Sequence, residues 1–211
     1  MNGIFITFEG IEACGKSTQA NYLYNYLESR RINSILTKEP GGTILGDLIR
    51  NIVLHEKVFP IAELLLFLAD RNQHINETIL PYLEQGYIVL CDRFYHSTYA
   101  YQASGRKIGF DTVQQFNELA IQGCRPDLTF LIDLPPEVGF ERKRSANLAL
   151  DRIEKQNYDF HYAVRDAYLK LAREDGRIRL LDGMRPKEVL KKEILDIILE
   201  TFPNMKERAI S

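Results

Sequence analysis

Cysteine is scarce in this chain. Cys14, Cys91 and Cys124 are the three, with no CxxC pair among them. An odd, scattered set rules out a disulfide framework and fits reduced thiols inside a cell. Nor is there an excess of charge of either sign: 27 Lys and Arg stand against 29 Asp and Glu, for a formal net charge of −2. Without a basic field, neither a nucleic-acid polymer nor an anionic membrane is an expected partner. Long apolar runs are missing too. The longest, IAELLLFLA from Ile61, is too short to cross a bilayer and contains Glu63. No basic region leading into an apolar stretch opens the chain, so a cytoplasmic, soluble protein without a signal peptide is expected. There is no internal repeat and no linker-like tract, so the 211 residues read as one domain.

What the chain does contain is a regular alternation. Short apolar runs at 3–8, 33–38, 87–91, 128–134 and 177–181 read as strands covered on both faces. Helical patterns lie between them, at 16–30, 43–54, 60–84, 111–122, 136–145, 158–174 and 186–201. This predicts an α/β protein of three layers, with about five parallel strands. Pro60 suits a first helical turn, Pro81 predicts a kink, and Gly86 suits a helix end. In such sheets ligands bind beyond the carboxyl ends of the strands. Those ends carry Glu9, then Lys38 and Glu39, then Asp92 and Arg93, then Asp133.

One loop has a specific chemistry. Residues 10–17, GIEACGKS, match G-x-x-x-x-G-K-[ST] between a predicted strand and a predicted helix. Gly10 and Gly15 let the backbone curl, so that amides along Ile11, Glu12, Ala13, Cys14 and on to Thr18 can face phosphate oxygens. The helix N-terminus adds positive potential. Lys16 reaches the β- and γ-phosphates, and the Ser17 hydroxyl can ligate Mg²⁺. An N-K-x-D guanine-reading tetrapeptide is not found, which favours ATP over GTP.

Further along, Phe67, Arg71 and His74 share one face of a predicted helix by their i, i+4, i+7 spacing. Such a face can stack a base and donate to its carbonyl. It can equally be core, with Arg71 paired to Asp70 or Glu63. Asp92 stands where a strand-ending acid would hold Mg²⁺ through water, or where a helix over 94–102 would need a cap.

Taken in order, FEG…GKST, EPGGT (39–43), F-x-x-x-R (67–71), DR-x-x-x-ST (92–98) and LDRIE (150–154) closely resemble the thymidylate kinases of bacteria. The resemblance implies a P-loop kinase fold with a small helical lid near 141–155, ATP and Mg²⁺ as cofactors, dTMP as acceptor, and a homodimer. It implies that Phe67 stacks on thymine, Arg71 addresses O4 and Pro40 lies beside the methyl group. Thr98 and Tyr101 would meet the base edge and deoxyribose, Gln102 would be a further substrate-binding residue, and Arg93 would hold the acceptor phosphate. Glu9 would approach either the 3′-hydroxyl or the metal, with Ser17 and Asp92.

The nucleophile implied is a phosphate oxygen whose second pKa is near 6. It needs no strong base, so none of the four histidines is expected to be catalytic. Repulsion between two anions must instead be met by cations, Lys16 and Arg93 among them. Some relatives carry an arginine in the phosphate loop, where this chain has Ala13. The charge is then expected from the lid, from Arg142, Arg144 or Arg152 in ERKRSANLALDRIEK. Arg142 can alternatively stack on adenine. Two rival readings remain: a kinase for UMP, CMP or AMP, and a regulatory P-loop ATPase.

Overall fold

A computed structural model describes residues 3–204. Five strands form one all-parallel sheet in the order β2-β3-β1-β4-β5, made of β1 (Ile4–Glu9), β2 (Ser34–Lys38), β3 (Ile88–Asp92), β4 (Leu128–Asp133) and β5 (Ile178–Asp182). The five expected strands all form, within one residue of the expected bounds.

Strand alternation divides the core in two. Phe5 of β1 packs with Val89 and Cys91 of β3 on one face. Ile6 and Phe8 pack with Ile88, Leu90 and Phe130 on the other. Helices cover both. The first face is closed by α3 (Pro60–His74) and α6 (Phe110–Ile121). The second is closed by α1 (Lys16–Ser29), α8 (Tyr158–Glu174) and α9 (Lys187–Thr201). The remaining helices are α2 (Ile44–His55), α4 (Leu80–Glu84), α5 (Tyr95–Thr98) and α7 (Pro136–Ser145). Side-chain caps start two of them. Thr43 Oγ1 accepts from Gly46 N–H at 2.9 Å, and Asn157 Oδ1 from Phe160 N–H at 3.0 Å.

Two stretches depart from the sequence reading. The helix expected over 60–84 is helical throughout, but a π-helical turn, Ile75–Ile79, separates α3 from α4. The wider turn comes just before Pro81, where it relieves the clash between the proline ring and the carbonyl one turn back. A helix over 94–102 entered the sequence reading only as the alternative role for Asp92; the structure forms it, and α5 runs on into a second π-helical segment, Tyr99–Gly105. Tyr95, Tyr99 and Ala103 face one core, while Ala100 and Tyr101 face the other. A helix buried on two sides has no amphipathic period to read.

The topology places the site. The connection leaving β1 runs toward β2, and that leaving β4 runs the opposite way to β5. The two adjacent strands therefore part above a crevice. The loop after β1 is pressed into it: a Cβ on Gly10 (φ 137°) would lie 2.4 Å from the Ile132 carbonyl oxygen. A Cβ on Gly139 of α7 would lie 2.6 Å from the Glu12 carbonyl oxygen, so α7 reaches this loop only because it carries glycine there.

Candidate active site

A cavity of about 790 Å³ opens at the carboxyl ends of the strands. Its lining brings together Glu12, Ala13, Lys16 and Ser17 with Asp92 and Arg93, and, across from these, Pro40, Phe67, Arg71, Thr98, Tyr101 and Gln102. Twelve of the expected site residues thus share one volume.

The phosphate-loop end is built from backbone. Gly10 and Gly15 have φ of 137° and 105°, and Ala13 sits at 54°, so the peptide groups curl inward. Lys16 is buried and donates to the Ile11 carbonyl at 2.7 Å, folding its ammonium over its own loop. The Ser17 hydroxyl donates to Asp92 Oδ2. Asp92 therefore does not cap the following helix. Glu9 Oε1 takes the Phe94 N–H instead, at 2.8 Å.

Glu9 itself lies behind the cavity wall. It is fully buried, and its Oε2 accepts from Ser97 Oγ at 2.6 Å and Tyr168 Oη at 2.9 Å. Cys14 is a buried free thiol, and Thr18 is exposed at the start of α1.

Arg93 stands between the two ends. Its φ of 73° is a left-handed conformation, held while its N–H donates to the Phe8 carbonyl at 2.9 Å. The guanidinium reaches the Gly10 carbonyl at 2.9 Å and Glu12 Oε1 at 3.1 Å, and lies 5.0 Å from the Tyr101 ring centre. Tyr101 Oη donates to the same Glu12 oxygen at 2.5 Å. Burial works to raise the Glu12 carboxyl, but the Arg93 and Lys16 charges and the Tyr101 hydroxyl outweigh it and hold it below the usual range.

The opposite wall is a buried polar network. Arg71 pairs with neither Asp70 nor Glu63. Its Nε and Nη2 both lie 2.9 Å from Glu39 Oε2, and its Nη1 donates to Thr98 Oγ1 at 2.7 Å and Asn117 Oδ1 at 2.9 Å. At least one Nη2 hydrogen is left for an acceptor in the cavity. His74 does not line the cavity; its ring nitrogens lie 3.1 Å from Glu39 Oε1 and 2.7 Å from Thr37 Oγ1. Asp70 Oδ1 accepts from Gly41 N–H at 3.0 Å, while Oδ2 is buried without a partner among the described residues. Burial, and then the Glu39 charge, push the Asp70 carboxyl up to about 7.

The three basic residues expected in the lid part company. Arg142 donates to the Ala13 carbonyl at 3.2 Å and the Gly183 carbonyl at 2.8 Å, bridging the phosphate loop to the turn after β5. Arg144 is exposed, and its side chain makes no hydrogen bond or ion pair among the described residues. Arg152, expected at the phosphates, is instead directed at α2 and α3. Its Nε donates to the Val53 carbonyl at 2.9 Å and its Nη2 to Glu63 Oε2 at 2.5 Å. Its neighbours Asp151, Ile153 and Glu154 line the cavity, and Arg152 does not.

Sequence reasoning named Glu39 only as a strand-end acid and Glu63 only as a possible partner of Arg71, and assigned no role to Ser97, Asn117 or Tyr168. Glu39 and Ser97 stand inside the EPGGT and DR-x-x-x-ST motifs, which could have flagged them. Asn117, Glu63 and Tyr168 carry no local signal, since each acts on partners over 30 residues away.

Comparison with known proteins agrees with this geometry. A family model described as Thymidylate kinase matches residues 8–194. The chain is 46% identical over 196 residues to a thymidylate kinase of Carboxydothermus hydrogenoformans, covering 92% of this chain and 96% of that protein. It is 48% identical over 198 residues to one of Halothermothrix orenii, covering 92% and 95%. The crystal structure of thymidylate kinase from Ehrlichia chaffeensis superposes with a TM-score of 0.76 at 33% identity, over 94% of this chain and 99% of that one.

Proposed function

The chain belongs to the thymidylate kinase family, and from that premise we propose that it transfers the γ-phosphoryl group of ATP to dTMP, giving ADP and dTDP. One observation carries the reading. A phosphate loop with Lys16 and Ser17 shares a cavity with a wall, Phe67 and Arg71, suited to a pyrimidine, and Arg93 lies between.

Each residue then has a part. Lys16 and the loop amides hold the triphosphate, while Arg93 receives the acceptor phosphate with a planar fork. The free Arg71 Nη2 hydrogen donates to the O4 carbonyl, Phe67 stacks on the ring, and Pro40 lies beside the methyl group. Thr98 holds Arg71, and Tyr101 meets the sugar. Gln102 reads the base edge. The acceptor phosphate is largely dianionic near neutral pH and needs no general base. Positioning and cationic charge do the remainder.

Ser17 and Asp92 are two hard oxygen donors in contact, a set that fits a magnesium ion otherwise held by phosphates and water. When bound, that ion neutralises charge on the phosphates. Glu9, its oxygens already occupied, is left out of this set. Residues 141–155 form the lid. Arg142 borders the adenine, and Arg144, the unengaged arginine, supplies charge to the transferring group.

An apolar face supports a homodimer. Ile44 and Leu48 of α2, Ile61 and Leu65 of α3 and Leu119 of α6 are all exposed, α2 packs on α3, and α3 on α6. Sedimentation of wild type against Leu48→Glu tests this; two monomeric species would refute it. No helix among the described residues is long and apolar enough to cross a membrane. We place the activity in the cytoplasm, with the reduced thiols and free nucleotides.

The function is tested by ADP release from ATP with dTMP, UMP, CMP or AMP. Turnover should depend on an acceptor and be fastest with dTMP. Preference for another monophosphate would point to a kinase of different specificity. ADP release without any acceptor would mark a regulatory ATPase.

A further inference from the structure

Glu63 lies on α3 inside the longest apolar run, is fully buried, and does not line the cavity. Its carboxylate nevertheless gathers four donors. Oε1 accepts from Arg106 Nε at 2.9 Å and Gln102 Nε2 at 2.8 Å, and Oε2 from Arg106 Nη2 at 3.0 Å and Arg152 Nη2 at 2.5 Å. Burial raises the carboxyl, but these donors outweigh it and keep it below its ordinary value, so Glu63 is charged. Arg106 is held in turn, its guanidinium 4.9 Å from the Phe160 ring centre.

A charged carboxylate can only accept. The amide of Gln102 has one end that donates and one that accepts, and the two are nearly the same shape. Glu63 breaks that near-symmetry by claiming the nitrogen. The oxygen of Gln102, which makes no hydrogen bond among the described residues, is the end left for the cavity that Gln102 lines. Arg71 presents a donor to the same cavity. A donor beside an acceptor matches the O4 and N3–H of thymine. It opposes the N4 amino group and unprotonated N3 of cytosine at both positions.

We propose that Glu63 is a positioning residue that sets pyrimidine specificity: it fixes the Gln102 amide with its oxygen toward the base, and Arg106 and the lid residue Arg152 fix Glu63. Arg152 is on this reading the anchor of the lid at the base-reading wall and not a phosphate contact. The inference rests on the base lying against Arg71 and Gln102, as the proposed function has it.

The test is Glu63→Gln, whose side chain keeps the shape but can satisfy either end of Gln102. The ratio of kcat/KM for dTMP to that for dCMP should fall by roughly tenfold or more, because the amide is free to turn and pair with cytosine. KM for ATP should be unchanged. A merely structural role would lower turnover of both acceptors together, and an unchanged ratio overturns the proposal. If Glu63→Gln alone does not fold, Glu63→Gln/Arg106→Met leaves less buried charge unpaired, and the same ratio decides. Arg152→Gln gives a second reading: a small loss of kcat with faster proteolysis of the lid supports the anchor, whereas a loss on the order of 10³ in kcat would place Arg152 on the phosphates. Wild-type turnover of dTMP tests the function itself, independently of these ratios.

Discussion

The two ends of the cavity are built on opposite plans. The phosphate end centres on one continuous stretch, residues 10–17, which supplies backbone amides, one lysine and one hydroxyl, with Asp92 and Arg93 from the end of β3 beside it. The base end is assembled from separate pieces of chain: Glu39 after β2, Glu63 and Arg71 on α3, Thr98 and Gln102 after β3, and Asn117 on α6. Phosphate is the same in every nucleotide, so a local device suffices for it. A base must be distinguished from others, and that takes donors and acceptors whose orientation is fixed from behind. The difference predicts that damage at the phosphate end removes rate, while damage at the base end changes selectivity and stability together.

The largest effect should come from Lys16→Ala. Loss of the charge over the phosphates is expected to cost roughly 10³ or more in kcat, with little change in Tm, since the ammonium binds only its own loop. Near-normal turnover with dTMP would remove the loop from the mechanism. Next is Arg144→Ala, expected to cost about 10²-fold or more in kcat with an unaltered melting curve, because its side chain has no partner among the described residues. An unaffected kcat would move the transition-state charge to another arginine.

Arg71→Ala should behave differently. KM for dTMP should rise about tenfold or more while KM for ATP holds. The fold should also lose about 3–5 kcal/mol, since Glu39 is left buried with His74 alone beside it. Equal rises in both KM values would mean that the base end is structural only. The smallest effect belongs to Asp70. Its carboxyl is raised from 3.8 to about 7 in the fold, so the protonated form is the one the fold favours. The stability it contributes is complete below about pH 4 and is lost as the pH rises through about 7. Asp70→Asn keeps an acceptor for Gly41 N–H and removes that slope. Unfolding free energies from denaturant titrations should converge at low pH and favour the variant by up to a few kcal/mol near pH 8. Parallel curves would show that Asp70 ionises as an ordinary carboxylate.

The sheet and most helices were legible because the strands are near-continuous apolar runs and the helices between them show a helical apolar period. The segment at 95–105 was legible only as an alternative, a helix over 94–102, because its side chains divide between two cores and leave no such period. The lid arginines show the same limit at the site. Their clustering in sequence suggested a shared role, yet one bridges two loops, one is unengaged and one pairs with Glu63.

By itself the amino-acid order determined the strand–helix alternation, the phosphate loop and the side of the sheet on which chemistry would occur. These depend on contacts between near neighbours, where spacing is geometry. Only the tertiary structure decided which partners Arg71, Arg152, Glu63 and Gln102 take, because a buried charge takes whichever partner the packing brings within reach, and those partners lie tens of residues away along the chain.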